Sequence, residues 1–166
     1  MKKLTRFVKH MASNRWQVVR RFPRRSLHTI EAAIRQSETL HMGELRFAVE
    51  AGLDWPDLFA DVSSQKRALE VFSRLRVWDT EQNSGVLIYL LLADRKVEII
   101  ADRGIHARVG EAGWASICRN MEKKFYSDKF EDGVLEGIAA ITALLQQHFP
   151  AQGANSNELP DYPVTL

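Results

Sequence analysis

A run of nine residues, Gly85-Val-Leu-Ile-Tyr-Leu-Leu-Leu-Ala93, offers no polar face to water if its backbone is extended. Successive side chains of a strand point to opposite faces, so such a run has to be covered on both. It is predicted to be the middle strand of a sheet with helices packed on either side. Asp94-Arg95 then makes a turn, and Lys96 to Asp102 returns with Val97, Ile99 and Ala101 inward. A link this short makes the pair a hairpin, hence antiparallel.

Upstream, Glu44 to Glu50 alternates, with Leu45, Phe47 and Val49 on one face and Arg46, Ala48 and Glu50 on a wetter one. In mid-strand, Glu98 is expected to face solvent or to pair with Arg46 across the sheet. A helix from about Ser64 to Arg76 joins the first two strands, its core positions being Ala68, Leu69, Phe72 and Leu75. Those strands therefore run parallel, with a right-handed crossover. A helix capped by Ser26 precedes them, with Leu27, Ile30, Ile34 and Leu40 on its apolar stripe and Gly43 at its end. Two helices follow. Trp114, Ile117, Cys118, Met121 and Phe125 line the first; Val134, Ile138, Ile141, Leu145 and Phe149 line the second, which stops at Pro150. The expected fold is α/β: a three-layer α/β/α sandwich around a small mixed sheet, a parallel pair joined by a helix plus an antiparallel hairpin strand. The chain divides into an N-terminal arm (1–25), the α/β domain (26–150) and an extended C-terminal tail (151–166) with little periodicity.

The arm is basic. Lys2, Lys3, Arg6, Lys9, Arg15, Arg20, Arg21, Arg24 and Arg25 face no acid within residues 1–25, whereas the rest of the chain carries 14 bases against 21 acids, a net charge of −7. Leu4, Phe7, Val8 and Met11 recur at helical spacing, so the arm reads as an amphipathic helix. One expectation is that it folds back on the acidic body. The other is that Lys2, Lys3, Arg6, Phe7, Lys9, Trp16, Arg20 and Arg21 meet an acidic partner or an anionic membrane, with Phe7 and Trp16 inserting. The acidic body argues against a nucleic-acid footprint. No stretch approaches the ~18 apolar residues of a membrane span, and the charged start lacks a secretory signal. A single cysteine, Cys118, permits no internal disulfide. A cytoplasmic protein is expected, with peripheral attachment at the inner face of the membrane as its extension.

Thr39-Leu-His-Met-Gly-Glu-Leu-Arg-Phe-Ala-Val, Asn83-Ser-Gly-Val-Leu-Ile-Tyr and Ala93-Asp-Arg-Lys-Val-Glu-Ile together resemble the TPM-domain family, from about Ser26 to Phe149. Trp78-Asp-Thr-Glu, Ala101-Asp-Arg-Gly and the terminal Glu158-Leu-Pro-Asp are similar to its short, soluble bacterial branch. Members include a thylakoid-lumen protein of photosystem repair and a nematode receptor-associated protein. The resemblance implies a label of phosphatase for many members and divalent-metal binding for some. Asp102-Arg103-Gly104 stands where many relatives have Gly-x-Gly, and the signal peptide and membrane anchor of the long relatives are not visible here.

The predicted topology gathers acidic residues at one end of the sheet: Glu44, the approach to the middle strand (Asp79, Glu81, Asn83), and Asp102 with Arg103, with Glu111 nearby. Carboxylates crowded together repel unless a cation or a base sits among them. Oxygen ligands suit Ca²⁺ or Mg²⁺, so Glu44, Asp79, Glu81 and Asp102 are the expected metal ligands. Asp79, Asp102 and Arg103 are the catalytic candidates for phosphate hydrolysis, and the bland alternative is solvated, capping or arginine-paired carboxylates. His10, His28, His41, His106 and His148 show no metal-ligand spacing, and neither a phosphate loop nor a nucleophile elbow is present. Two readings stand: a non-catalytic or weakly catalytic module acting through protein or membrane-surface contacts with or without a divalent cation, and a metal-dependent phosphatase.

Overall fold

The computed structural model describes residues 2–152 and 157–166, and of Lys2 and Lys3 the backbone only. In chain order the elements are α1 (Lys2–Ala12), α2 (Arg15–Arg21), α3 (Arg24–Glu38), β1 (Glu44–Glu50), α4 (Trp55–Phe59), α5 (Ser64–Arg74), β2 (Gly85–Leu91), β3 (Lys96–Ala101), α6 (Arg103–Val109), α7 (Glu111–Tyr126), α8 (Phe130–His148) and β4 (Val164–Thr165). They form a three-layer α/β/α sandwich around one mixed sheet of order β3-β2-β1-β4. β1 runs parallel to β2, from Glu44 opposite Gly85 to Glu50 opposite Leu91. β3 is antiparallel to β2, from Lys96 opposite Leu91 to Ala101 opposite Val86.

The apolar run behaves as its pattern requires. Val86, Ile88 and Leu90 join Leu45, Phe47, Val49, Ile30, Ile34, Met121 and Ile138 in the larger core, under α3, α7 and α8. Leu87, Tyr89 and Leu91 point the other way, into a smaller core with Ala48, Ala68, Val71 and Leu159 under α5. Burying each such large apolar side chain contributes about 1.5–3 kcal/mol, which makes β2 the spine of both layers.

Several details differ from the sequence expectation. α3 begins two residues before Ser26, because Pro23 already supplies the helix-entry backbone (φ −61°). The buried Ser26 hydroxyl donates instead to Glu131 on α8. Leu40 and Leu69, expected in the core, are about half exposed. β1 has no wet face, since all seven of its residues are buried. Its polar side chains are paired rather than solvated: Glu50 takes a bidentate pair from Arg67 (2.7 and 3.0 Å) and a hydrogen bond from the Tyr89 hydroxyl. Glu98 accepts from Ser64 Oγ at 2.5 Å, not from Arg46. The tail ends in a strand: Val164 and Thr165 pair in parallel with Ala48 and Val49, closing the second edge of β1.

Candidate functional site

The sheet brings two of the predicted acidic positions to one rim around Gly85. Glu44 is its partner in register on β1, while the Asp102 N–H donates to the Gly85 carbonyl and the Gly85 N–H donates to Asp102 Oδ2, both at 2.9 Å. A Cβ at position 85 would lie 1.9 Å from the Val77 carbonyl oxygen, so only glycine lets the chain pass there. Burial pushes the Asp102 carboxyl up, against the bond from Gly85. Glu44 is 1% exposed, and its Oε2 accepts the N–H groups of Glu158 (3.1 Å) and Leu159 (3.2 Å). Burial raises its pKa too, and those two N–H groups oppose the rise.

The other candidates are disposed differently. Asp79 is exposed and sits 2.5 Å from Arg76 Nη2. The Glu81 carboxylate is exposed, and its backbone N–H donates to Glu158 Oε2 at 2.8 Å. Asn83 occupies a left-handed turn position (φ 50°), Arg103 opens α6 at the surface, and Glu111 opens α7 beside His106. Among the described residues, no three His, Cys, Asp or Glu side chains are grouped to hold a metal ion.

Sequence reasoning missed a polar network just beyond Glu44. Glu38, in the last turn of α3, accepts the Leu45 N–H at 2.7 Å. Its carboxyl is pushed up to about 8, by burial first and then by the negative neighbours Glu44 and Asp161. Asp161, buried, takes Arg35 Nε at 3.0 Å and Asn157 Nδ2 at 2.8 Å. The buried Arg46 donates to the Pro160 carbonyl. Next to this network His41 is held neutral, its pKa lowered by burial to about 4. Its Nδ1 accepts the Gly43 N–H at 3.1 Å, and its Nε2 lies 2.8 Å from Ser37 Oγ. The network's trace in the sequence is the terminal Glu158-Leu-Pro-Asp, whose contacts with Glu44 and Arg46 each span 114 residues.

The basic arm folds onto the body. Arg6 reaches Asp94 (3.0 Å), Asp61 (3.3 Å) and the Val62 carbonyl (2.9 Å). The buried His10 accepts the Leu53 N–H at Nδ1 (2.9 Å), with Nε2 3.0 Å from Asp94 Oδ1. Burial raises the Asp94 carboxyl, but the bonds from His10 and Arg6 outweigh it and hold it below the usual range. Phe7 packs edge-on to Trp55 (5.0 Å) and against Phe59 (5.8 Å), and Arg21 lies over Phe130 beside Asp128. Arg6, Phe7 and Arg21 are therefore engaged by the body. Lys9, Trp16 and Arg20 face solvent, Arg20 over the Trp16 ring; the Lys2 and Lys3 side chains lie outside the described residues. The docked face leaves out the expected stripe. Leu4 is 70% exposed, and Val8, Met11, Trp16 and Val19 are exposed as well; Leu4 lines one hollow with Phe7 and with Phe59, itself 75% exposed, and Phe7 also packs on Trp55.

The sequence pattern of the TPM domain matches residues 22–144, most of the chain. The chain belongs to the TPM-domain family. This TPM domain is similar to the BA42 protein of the psychrophilic bacterium Bizionia argentinensis, solved by NMR: 28% identity, 86% of this chain and 93% of that chain covered, TM-score 0.72. It is also similar to the N-terminal domain of a protein from P. gingivalis, at 17% identity, 74% of each chain and a TM-score of 0.58, which speaks for the fold alone. None of the curated proteins matches the chain. The TPM domain also has an open cleft of about 580 Å³ along β3, lined by Glu98, His106, Glu111, Trp114, Cys118 and Glu122. Burial pushes the Cys118 thiol up to about 12, so no thiolate nucleophile is on offer there.

Proposed function

We propose that this TPM-domain protein is a surface-docking module in which α1 and α2, ahead of the matched domain, settle on anionic lipid. A single observation carries the reading: α1 is latched to the body by Arg6 and His10, yet Leu4, Val8 and Met11 remain exposed along one helical face. Residues four and three apart share a face, and here Leu4 lines a hollow with Phe59 and Met11 lines one with Trp55. Apolar patches rimmed by bases suit a membrane interface. Lys9, Arg15, Arg20, Arg24 and Arg25 are exposed along α1, α2 and the first turn of α3, and each base near an anionic surface contributes about 1 kcal/mol. Among the described residues no helix is long and apolar enough to cross a membrane, so attachment would be peripheral.

Co-sedimentation with vesicles of phosphatidylcholine, with and without phosphatidylserine, tests this. Binding is expected only to the anionic vesicles, and Leu4→Asp/Val8→Asp should weaken it at least about tenfold by placing charge at the interface. Binding that ignores this double change, or no binding to anionic vesicles, would end the proposal. Retention by a protein bait with no lipid affinity would replace the membrane with an acidic protein partner.

A second reading keeps a divalent cation and phosphate-ester hydrolysis at the Gly85 rim, favoured by Glu44 and Asp102 flanking that glycine. It requires Asp79 to leave Arg76. Metal-dependent hydrolysis unchanged by both Asp79→Ala and Asp102→Ala would dismiss it, as would a Ca²⁺ and Mg²⁺ titration that leaves the amides of Glu44, Glu81 and Asp102 unmoved.

A further inference from the structure

The outer edge of β1 handles the tail as a receptor handles a peptide. Glu44 accepts two consecutive main-chain N–H groups, of Glu158 and Leu159, with one carboxylate oxygen, and Arg46 donates to the next carbonyl, that of Pro160. Among the described tail residues Leu159 is buried in the smaller core, and Val164 and Leu166 pack against its margin. Arg35 holds the Asp161 carboxylate at 3.0 Å, and His28 meets the Tyr162 ring edge-on at 5.6 Å. Only then does a two-residue parallel ladder form, extended by the Leu166 N–H on the Val49 carbonyl. Main-chain capture by side chains, one apolar pocket, one ion pair and strand addition together make a recognisable mode of peptide binding.

The docked tail covers the polar side chains of this edge. With the tail in place Glu38, Glu44 and Arg46 are all less than 8% exposed, and among the described residues Arg46 Nε has no hydrogen-bond partner. Buried polar groups on a strand edge destabilise a fold unless a chain pairs with them. Six residues, 151–156, separate Pro150, which bridges to His41, from Asn157. A terminal strand on such a connection can be exchanged between identical chains, because donor and acceptor contacts are the same in either case.

We propose that the Glu44–Arg46 edge of β1 is a recognition groove for an extended Glu-Leu-Pro-Asp segment, filled in cis by residues 157–166 and in trans by the same segment of a second copy. A tethered cis tail competes at an effective concentration on the order of millimolar, so trans binding by the intact chain is weak and rises when the cis tail is weakened. The test is a fluorescent peptide of residues 157–166 titrated into the full chain, with sedimentation velocity at rising protein concentration. Leu159→Ala in the chain should raise peptide affinity at least tenfold, while the same change in the peptide should abolish binding. Asp161→Asn in the chain is the second variant, for use if Leu159→Ala unfolds. A dimer should grow in with wild-type concentration and dissolve under excess peptide. Equal peptide affinity for wild-type and tail variants, binding indifferent to the peptide's own leucine, or self-association that the peptide leaves unchanged would each overturn the proposal.

Discussion

Glu38 has a carboxyl group that the fold keeps out of water, with Asp161 and Glu44 as negative neighbours. The pH dependence of stability follows from that. An unfolded glutamate gives up its proton near 4.5 and folded Glu38 near 8, so over that window the folded chain holds a proton that the unfolded chain has lost. Stability therefore falls as pH rises through the window, by at most about 1.4 kcal/mol per unit, and levels off above it. His41 acts in the opposite sense. Its pKa is lowered from 6.5 to about 4, so its contribution is present above 6.5 and is lost as pH falls toward 4. The two slopes oppose each other below 6.5, which leaves Glu38 unopposed by His41 between there and about 8. Glutamine mimics the protonated acid, so Glu38→Gln should match the wild type near pH 5 and exceed it at pH 8 in urea unfolding. Parallel stability curves for the two proteins would contradict this. Gly85 gives a plainer expectation: alanine there meets the Val77 backbone, which cannot swing aside, and should cost on the order of 3 kcal/mol or more.

At the scale of elements, the contacts that hold α1 span long stretches of chain. Arg6 and Asp94 lie 88 residues apart, and His10 and Leu53 lie 43 apart. Asp94→Ala removes the acceptor shared by Arg6 and His10 and strands a buried imidazole nitrogen, at a cost of about 1–3 kcal/mol. Amide exchange in residues 4–12 should then accelerate, with β2 unchanged; unchanged exchange in α1 would mean the latch holds nothing. The same distances explain what could and could not be read from the residues. β2 was legible because a strand apolar on both faces has one place to go, and its hairpin with β3 because the turn is local. The docked face of α1 was not, because Arg6 and His10 resemble solvent-facing positions until Asp94 and the Leu53 N–H are beside them. Nor was β4, whose two residues carry no period. At the rim, the strand order was enough to bring Glu44 and Asp102 to one end of the sheet, but side-chain direction depended on a tail whose docking no local pattern announces.

The whole molecule separates its charge, with nine bases in residues 1–25 against a net −7 in the remainder. Part of that contrast is spent internally, since Arg6 pairs with Asp94 and Asp61 and Arg21 with Asp128. The exposed remainder and the Leu4–Val8–Met11 face are what the proposed membrane contact would use. These two contributions respond differently to salt. Added salt shortens the Debye length from about 10 Å at 0.1 M to about 3 Å at 1 M, which screens exposed bases but leaves apolar burial intact. Affinity for anionic vesicles should therefore fall at least about tenfold between roughly 0.05 and 0.5 M salt while staying measurable. Leu4→Ala/Val8→Ala should lower affinity by a similar factor at both salts, since each exposed methylene that enters the interface adds about 0.8 kcal/mol irrespective of charge. Complete loss of binding at high salt, with the double alanine variant indistinguishable from wild type at low salt, would assign attachment to charge alone. The exposed apolar stripe on α1 would then lose its place in the mechanism.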